Sequence, residues 1–257
     1  MPVIRLCDVH KSFGRLDVLK GVDVDLRPGE TTVVIGESGA GKSVILKHIV
    51  GLIRPDRGSV HFRGQRVDTI GEREWAKLRT RFGFLFQLGA LFDSLTVGQN
   101  VAFPIVEHGT YSKGEIEKIV ADKLRMVGLD GIQSKRPVEL SGGQRKRVAL
   151  ARAIALDPEV VLYDEPTTGL DPVRADVINE LILKLKRELR VTGIVVTHDL
   201  ASARKVGDRI IMLHGGKFVF DGSPQALDRC RDERVRRFVE GRASQEDLRS
   251  LQNRGGS

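Results

Sequence analysis

Apolar residues fall along this chain in two patterns. One is a short unbroken run bounded by turn residues. The other is a face that repeats every three to four positions. The unbroken runs are Thr31-Thr32-Val33-Val34-Ile35, Phe82-Gly83-Phe84-Leu85-Phe86, Val160-Val161-Leu162-Tyr163 and Ile194-Val195-Val196-Thr197. Such runs predict strands covered on both faces, as in a mainly parallel sheet. Val22-Asp23-Val24-Asp25-Leu26 alternates strictly and predicts a half-exposed strand. Shorter strands are expected at residues 3–7 and 59–62, and Gly215-Gly216 predicts a hairpin between Arg209–Leu213 and Lys217–Phe220.

The helical faces come with their own boundary signals. Val44 to Val50 reads as a helix stopped by Gly51, and Glu72 to Arg79 as a second. Thr96 is placed to N-cap a short helix that ends before Pro104. Ser112 with Glu115, and Ser141 with Gln144, have capping-box spacing. The first box opens a helix with Ile116, Ile119, Val120, Leu124 and Val127 on one face, ended by Gly128. The second opens a helix running through Val148, Leu150, Ala151 and Ile154 to Pro158. Asp171-Pro172 starts a long helix with Val173, Val177, Ile178, Leu181, Leu185 and Leu189 as its apolar face. From Ser223 the chain reads as helical and arginine-rich, and residues 252–257 are expected to be disordered. Residues 88–156 hold no strand pattern at all.

Composition narrows the picture little. With 257 residues and 40 % hydrophobic content, the chain is long enough for one large core with a subdomain. No apolar run approaches the roughly 18–20 residues that span a bilayer, and no secretory leader is seen, so a soluble protein is expected. Cys7 and Cys230 form no metal or redox spacing and are expected to be reduced, in cytosol. The formal charge of +8 suits a nucleic acid or an anionic membrane surface, but equally a solvated basic surface.

The chemistry centres on Gly36-Glu37-Ser38-Gly39-Ala40-Gly41-Lys42-Ser43, a G-x-x-x-x-G-K-S phosphate-binding loop between a strand and a helix. Its glycines let backbone N–H groups converge on one centre, and the helix N-terminus adds its positive dipole end. Lys42 is expected to reach the β- and γ-phosphates and the Ser43 hydroxyl to ligate Mg²⁺. Three further groups stand at the ends of buried strands: Gln87, Asp164-Glu165 and His198. In an open α/β sheet that edge is where ligands bind. Asp164 is expected to bind the metal, and Glu165 to orient the attacking water and take its proton. Phe13 is a candidate to stack on an adenine ring.

Leu140-Ser141-Gly142-Gly143-Gln144, upstream of Val161-Leu162-Tyr163-Asp164-Glu165, resembles the signature and Walker B motifs of ABC ATPases. Gly169-Leu170-Asp171 is similar to their D-loop, His198 to their switch histidine, Gln87 to their Q-loop and Phe13 to their adenine-stacking aromatic. The resemblance covers roughly residues 3–225. It implies an α/β fold with a P-loop NTPase core on a mainly parallel sheet, an N-terminal antiparallel β part and an inserted helical subdomain. The core is then 1–87 and 157–222, the helical subdomain 88–156, and a C-terminal helical extension 223–257. It also implies that two such chains sandwich two ATP molecules head to tail, each ATP lying on one P-loop and facing the other chain's Ser141, Gly142, Gly143 and Gln144. Gln87 would join Ser43 and Asp164 at the metal, His198 would join Glu165 in catalysis, and Asp171 would lie at the nucleotide.

A narrower likeness rests on Phe86-Gln87-Leu88-Gly89-Ala90-Leu91-Phe92-Asp93-Ser94-Leu95-Thr96-Val97, Asn100-Val101-Ala102-Phe103-Pro104 and Asp164 through Pro172. These are similar to the ATPase of Mla/Mce-type phospholipid transporters of the bacterial envelope. That implies a peripheral subunit on the cytoplasmic face of the inner membrane, working with a multispanning permease and an MCE-domain lipid-binding protein. Leu91 and Phe92 are then expected at the permease contact. Arg234 through Gly241 is similar to the family's C-terminal extension and implies a contact with the partner ATPase. The alternative is a soluble ABC-type ATPase acting on nucleic acid or ribosomes. Such proteins usually carry two cores in one chain, a long coiled coil or zinc spacings; none is present in the sequence, and no nucleic acid is expected.

Overall fold

The computed structural model describes residues 1–243. The central element is a six-stranded sheet in the order β10-β9-β3-β8-β7-β6. Its strands are β3 (Thr31–Ile35), β6 (Phe82–Leu85), β7 (Val160–Asp164), β8 (Thr192–Val196), β9 (Arg209–His214) and β10 (Lys217–Gly222). All are parallel except β10, the antiparallel edge strand that closes the hairpin with β9. A second, antiparallel sheet has the order β2-β1-β4-β5, from β1 (Ile4–Phe13), β2 (Leu16–Leu26), β4 (Arg57–Phe62) and β5 (Gln65–Arg66).

The unbroken apolar runs follow from burial of both faces of the parallel sheet. Val33, Ile35, Val161, Tyr163 and Val195 point to one side. There they meet α3 (Val97–His108), α4 (Lys113–Met126), α5 (Gly142–Ala153), α6 (Pro172–Leu189) and α7 (Leu200–Val206). Val34, Val160, Leu162, Ile194 and Val196 point to the other, against α1 (Lys42–Ile49) and the antiparallel sheet. The period-2 alternation is intact; it is invisible in the sequence because neither face meets water. A short helix α2 (Glu72–Arg79) precedes β6, and α8 (Pro224–Asp228) and α9 (Glu233–Glu240) follow the hairpin. The expected disorder at 252–257 lies outside the described residues.

Local signals set most helix starts. Thr96, Ser112 and Ser141 accept from the backbone N–H of Gln99, Glu115 and Gln144, and each box closes with the reciprocal side-chain bond. Asp171 caps α6 through the Arg174 N–H, with Pro172 at the first helical position. Residues 88–156 contain α3, α4, a 3-10 turn at Pro137–Glu139 and α5, and no strand.

Four expectations are corrected. The first strand runs on to Phe13, because irregular pairing between Leu6 and Ser12 lets it bend and continue along β2. Helix α3 passes through Pro104 to His108; Val101 and Ile105 are buried in the core on either side of the proline, which holds the helix despite the lost N–H. Helix α5 stops at Ala153, short of Pro158. Val173 and Val177 do not join the buried face of α6: they are 74 % and 46 % exposed, and the buried apolar face begins at Ile178.

One buried group carries a pH dependence. His48, on α1, is 1 % exposed; its Nδ1 lies 2.7 Å from the Val44 carbonyl and its Nε2 has no hydrogen-bond partner. Burial pushes its pKa down, and the nearby Lys11 adds to that. An unfolded histidine takes its proton near pH 6.5. As pH falls through that value the unfolded chain binds a proton that folded His48 refuses, so stability falls until the lower folded pKa is passed. Urea melts from pH 7.5 to 5 should show this decline, and His48→Leu should flatten it. A wild-type profile level across that window would exclude the effect.

Candidate active site

Strands β3, β6, β7 and β8 lie side by side and parallel, so their C-terminal ends open on one edge of the sheet. The loop after β3 is the glycine-rich Gly36–Gly41. At Gly36 a Cβ would lie 2.4 Å from the Leu213 carbonyl oxygen, and at Gly41 (φ +100°) 2.6 Å from a Val18 methyl. Only glycine lets this loop pass so close to β9 and β2. Lys42 opens α1 and folds its side chain back over the loop, donating to the carbonyls of Gly36 (2.8 Å) and Glu37 (2.9 Å). Its ammonium is 3.9 Å from Glu165 Oε1. Burial pushes its pKa down, an effect that Glu165, Asp164 and Glu37 partly offset.

The next residue, Ser43, donates its hydroxyl hydrogen bond to Asp164 Oδ1 at 2.7 Å. Asp164 ends β7 and is buried; that burial pushes its pKa up, against the bond from Ser43. Glu165 follows in a left-handed conformation (φ +48°), rare for a residue with a side chain and a mark of local strain. The turn is held by its N–H donating to the Val196 carbonyl at 2.8 Å. It aims the carboxylate into a tight set of partners. His198 Nδ1 is 2.9 Å from Glu165 Oε2, the Thr168 hydroxyl 3.1 Å and the Thr197 hydroxyl 3.4 Å.

Of these groups, Gly41, Lys42, Ser43, Glu165 and His198 line a cavity of about 320 Å³ together with Phe13, Val18, Ser38, Gly39 and Gln87, with Asp164 joined to it through Ser43. Phe13, 49 % exposed, stands at its rim with Lys11 Nζ 5.5 Å from the ring centre. The structure thus brings together Phe13, the Gly36–Ser43 loop, Gln87, Asp164, Glu165 and His198. Ser141, Gly142, Gly143, Gln144 and Asp171 are not among the lining residues. Ser141 is exposed at the N-terminus of α5, and Asp171 is exposed at that of α6.

Sequence reasoning missed four contributors. Val18 forms the wall against Gly41. Thr168 and Thr197 fix the Glu165 carboxylate. Lys146 is 6 % exposed and donates to the carbonyls of Gln87 and of Glu165. The threonines had a signal, flanking Glu165 and His198 in the chain; Lys146 had none, sitting in a basic run that reads as solvated.

A polyanion fits this edge. Backbone N–H groups at a helix start, a lysine and a hydroxyl converge, with a strained carboxylate opposite. Residues 19–168 match the family model described as ABC transporter. A curated relative in Mycobacterium leprae, described as a probable ribonucleotide transport ATP-binding protein mkl, is 44 % identical over 239 residues. These span 93 % of this chain and 69 % of the relative. The intermembrane phospholipid transport system ATP-binding protein MlaF of Haemophilus influenzae is 40 % identical over 224 residues, 87 % of this chain and 85 % of the relative. Among solved structures, the dimeric MJ0796, a bacterial ABC transporter cassette, superposes with a TM-score of 0.80 at 35 % identity, covering 86 % of this chain and 98 % of that one. Phosphate loop, carboxylate pair and family match agree: the chain belongs to the ABC transporter family and is an ATP-hydrolysing subunit.

Proposed function

We propose that this chain is the motor of a lipid transporter of the Mla/Mce type. It would work as a head-to-tail dimer on the cytoplasmic face of a bacterial inner membrane, docked to a permease and in one complex with an MCE-domain lipid-binding protein. The observation that carries the reading is an aromatic groove that starts beside Gln87. Phe86 stacks on Phe84 with ring centres 4.2 Å apart, and Phe92 meets Phe103 at 4.9 Å. The cavity they share with Phe82 and Arg152 measures about 410 Å³. Phe92 and Phe103 are 42 % and 44 % exposed, an apolar surface that asks for a partner. Leu91, the other expected contact, packs partly against the core and is the weaker choice. The 40 % identity to a phospholipid transport protein supports a lipid cargo.

Within the site, Lys42 and the Gly36–Ser43 backbone would hold the β- and γ-phosphates, and Phe13 the adenine. Ser43, Asp164 and Gln87 suit Mg²⁺, which prefers hard oxygen ligands and is held by one or two carboxylates when substrate phosphates and water complete its shell. Asp164, buried and raised in pKa, is a carboxylate that gains from an added cation. When bound, the metal would neutralise charge building on the phosphate oxygens. Glu165 would orient the attacking water and accept its proton, held in place by His198 and the two threonines. Ser141 to Gln144, with Asp171, would face the nucleotide of the partner chain. Residues 88–156 would act as the subdomain that carries Ser141 and the aromatic groove, and Arg234 to Gly241 would contact the partner ATPase.

Two outcomes test this. Glu165→Gln keeps the shape of the side chain and removes the base. Hydrolysis should drop by roughly 10²–10⁴-fold while ATP binding persists, and normal turnover in a phosphate-release assay would remove Glu165 from the role. Phe92→Asp should weaken permease docking about tenfold or more, since burying one such ring contributes roughly 1.5–3 kcal/mol. The isolated variant should melt near the wild-type temperature. A pull-down of the permease read beside that melting curve decides: docking at wild-type strength, or unfolding along with lost docking, would take the groove out of the contact.

A further inference from the structure

The loop that carries Gln87 does not hang free between β6 and α3. Its first residues, Gln87 to Ala90, lie along α5 and are fastened there at two points. At one, Lys146 donates to the Gln87 carbonyl. At the other, the Arg152 guanidinium donates to the carbonyls of Gly89 and Ala90, at 2.8 Å each. Between them Gly89 (φ +78°) brings its backbone against Ala149; a Cβ there would sit 3.4 Å from the alanine methyl. Lys146, Ala149 and Arg152 follow one another at three-residue steps, a ridge on the helix surface. The Gly89 N–H closes the turn on the Phe86 carbonyl at 2.8 Å.

Lys146 does more than hold the strap. The same ammonium lies 3.3 Å from the Glu165 carbonyl, so one buried cation spans α5, the Gln87 loop and the turn after β7. A lysine that is 6 % exposed with only backbone carbonyls for partners is costly to bury. Asp164 and Glu165 offset part of that cost through their charge. Removing the ammonium would leave the Gln87 carbonyl without a donor and the Glu165 carbonyl with only the Thr168 N–H, in the turns that aim Gln87 and Glu165.

We propose that Lys146 is a positioning residue for ATP hydrolysis, tying the helix that presents Ser141 to the backbone of Gln87 and of Glu165. The strap makes the Gln87 loop travel with α5. One rigid piece then bears a group facing the chain's own nucleotide and a group facing its partner's. This rests on the site reading above, in which Gln87 and Glu165 act on the γ-phosphate end.

The test uses the full chain with ATP and Mg²⁺, comparing Lys146→Met, Lys146→Arg and Glu165→Gln. Methionine keeps length and loses the donor; arginine keeps charge and donors. Lys146→Met should lose kcat by roughly tenfold or more, because small misplacements of catalytic groups are expensive, while its KM for ATP stays near wild type. Lys146→Arg should recover a clear part of that loss. A Lys146→Met kcat near wild type, a change confined to KM, or equal losses in both Lys146 variants would overturn the assignment. The melting temperatures of the variants accompany the rates, and a rate loss that tracks unfolding in both also overturns it. If Glu165→Gln loses turnover and Lys146→Met does not, only Lys146 is misassigned; if Glu165→Gln keeps turnover, the site reading beneath it falls.

Discussion

Fixed positive charge at the end of β3 is the constraint on which the rest of the structure depends. Lys42 cannot wander: two carbonyls of its own loop grip the ammonium, and Glu165 faces it at 3.9 Å. That grip needs the loop to pass within contact of Leu213 and Val18, which only Gly36 and Gly41 permit. Those walls belong to β9 and β2, so both sheets are needed to build one phosphate cradle. The parallel register then brings Asp164, Glu165 and His198 to the same edge. Strain at Glu165 is held by a backbone bond to β8 and by the cluster around its carboxylate, at a place where aim matters more than basicity.

In the proposed reading one chain supplies only part of the charge that a nucleoside triphosphate needs. In the proposed dimer the N-terminus of α5 would be a second anion site, with Ser141 exposed at the positive end of the helix dipole. It does not line the Lys42 cavity. A second chain turned head to tail would bring it there, and the likeness to a dimeric cassette makes that arrangement the natural one. The strap from Lys146 to Arg152 then matters mechanically, because it links the Ser141 helix to the Gln87 loop and to Phe92, whose ring lies 5.8 Å from the Arg152 guanidinium.

Much of this was legible in the sequence where the cause is local. The glycine loop, the capping pairs at Thr96, Ser112 and Ser141, and the buried runs ending in Gln87, Asp164 and His198 each declare themselves within a few residues. What was hidden depends on partners distant in the chain. Pro104 reads as a stop, yet core packing at Val101 and Ile105 carries the helix through it. Val173 and Val177 have helical spacing but stay exposed at the start of the helix, where no other element among the described residues covers them. Lys146 looks like one more surface cation, because nothing nearby in sequence reveals that two carbonyls from other loops wait beneath it.

The central claim is that the hydrolytic site is completed across two chains, and mixing defective chains tests it most directly. Ser141→Arg damages the face offered to the partner; Lys42→Ala damages the chain's own cradle. Each variant alone has both composite sites broken. In a mixed dimer one composite site combines an intact cradle with an intact Ser141, so the mixture should hydrolyse ATP at a rate that neither variant reaches alone. A mixture no faster than its components, with mixed dimers verified by differential tags, would mean that Ser141 serves its own chain's nucleotide and would contradict the account.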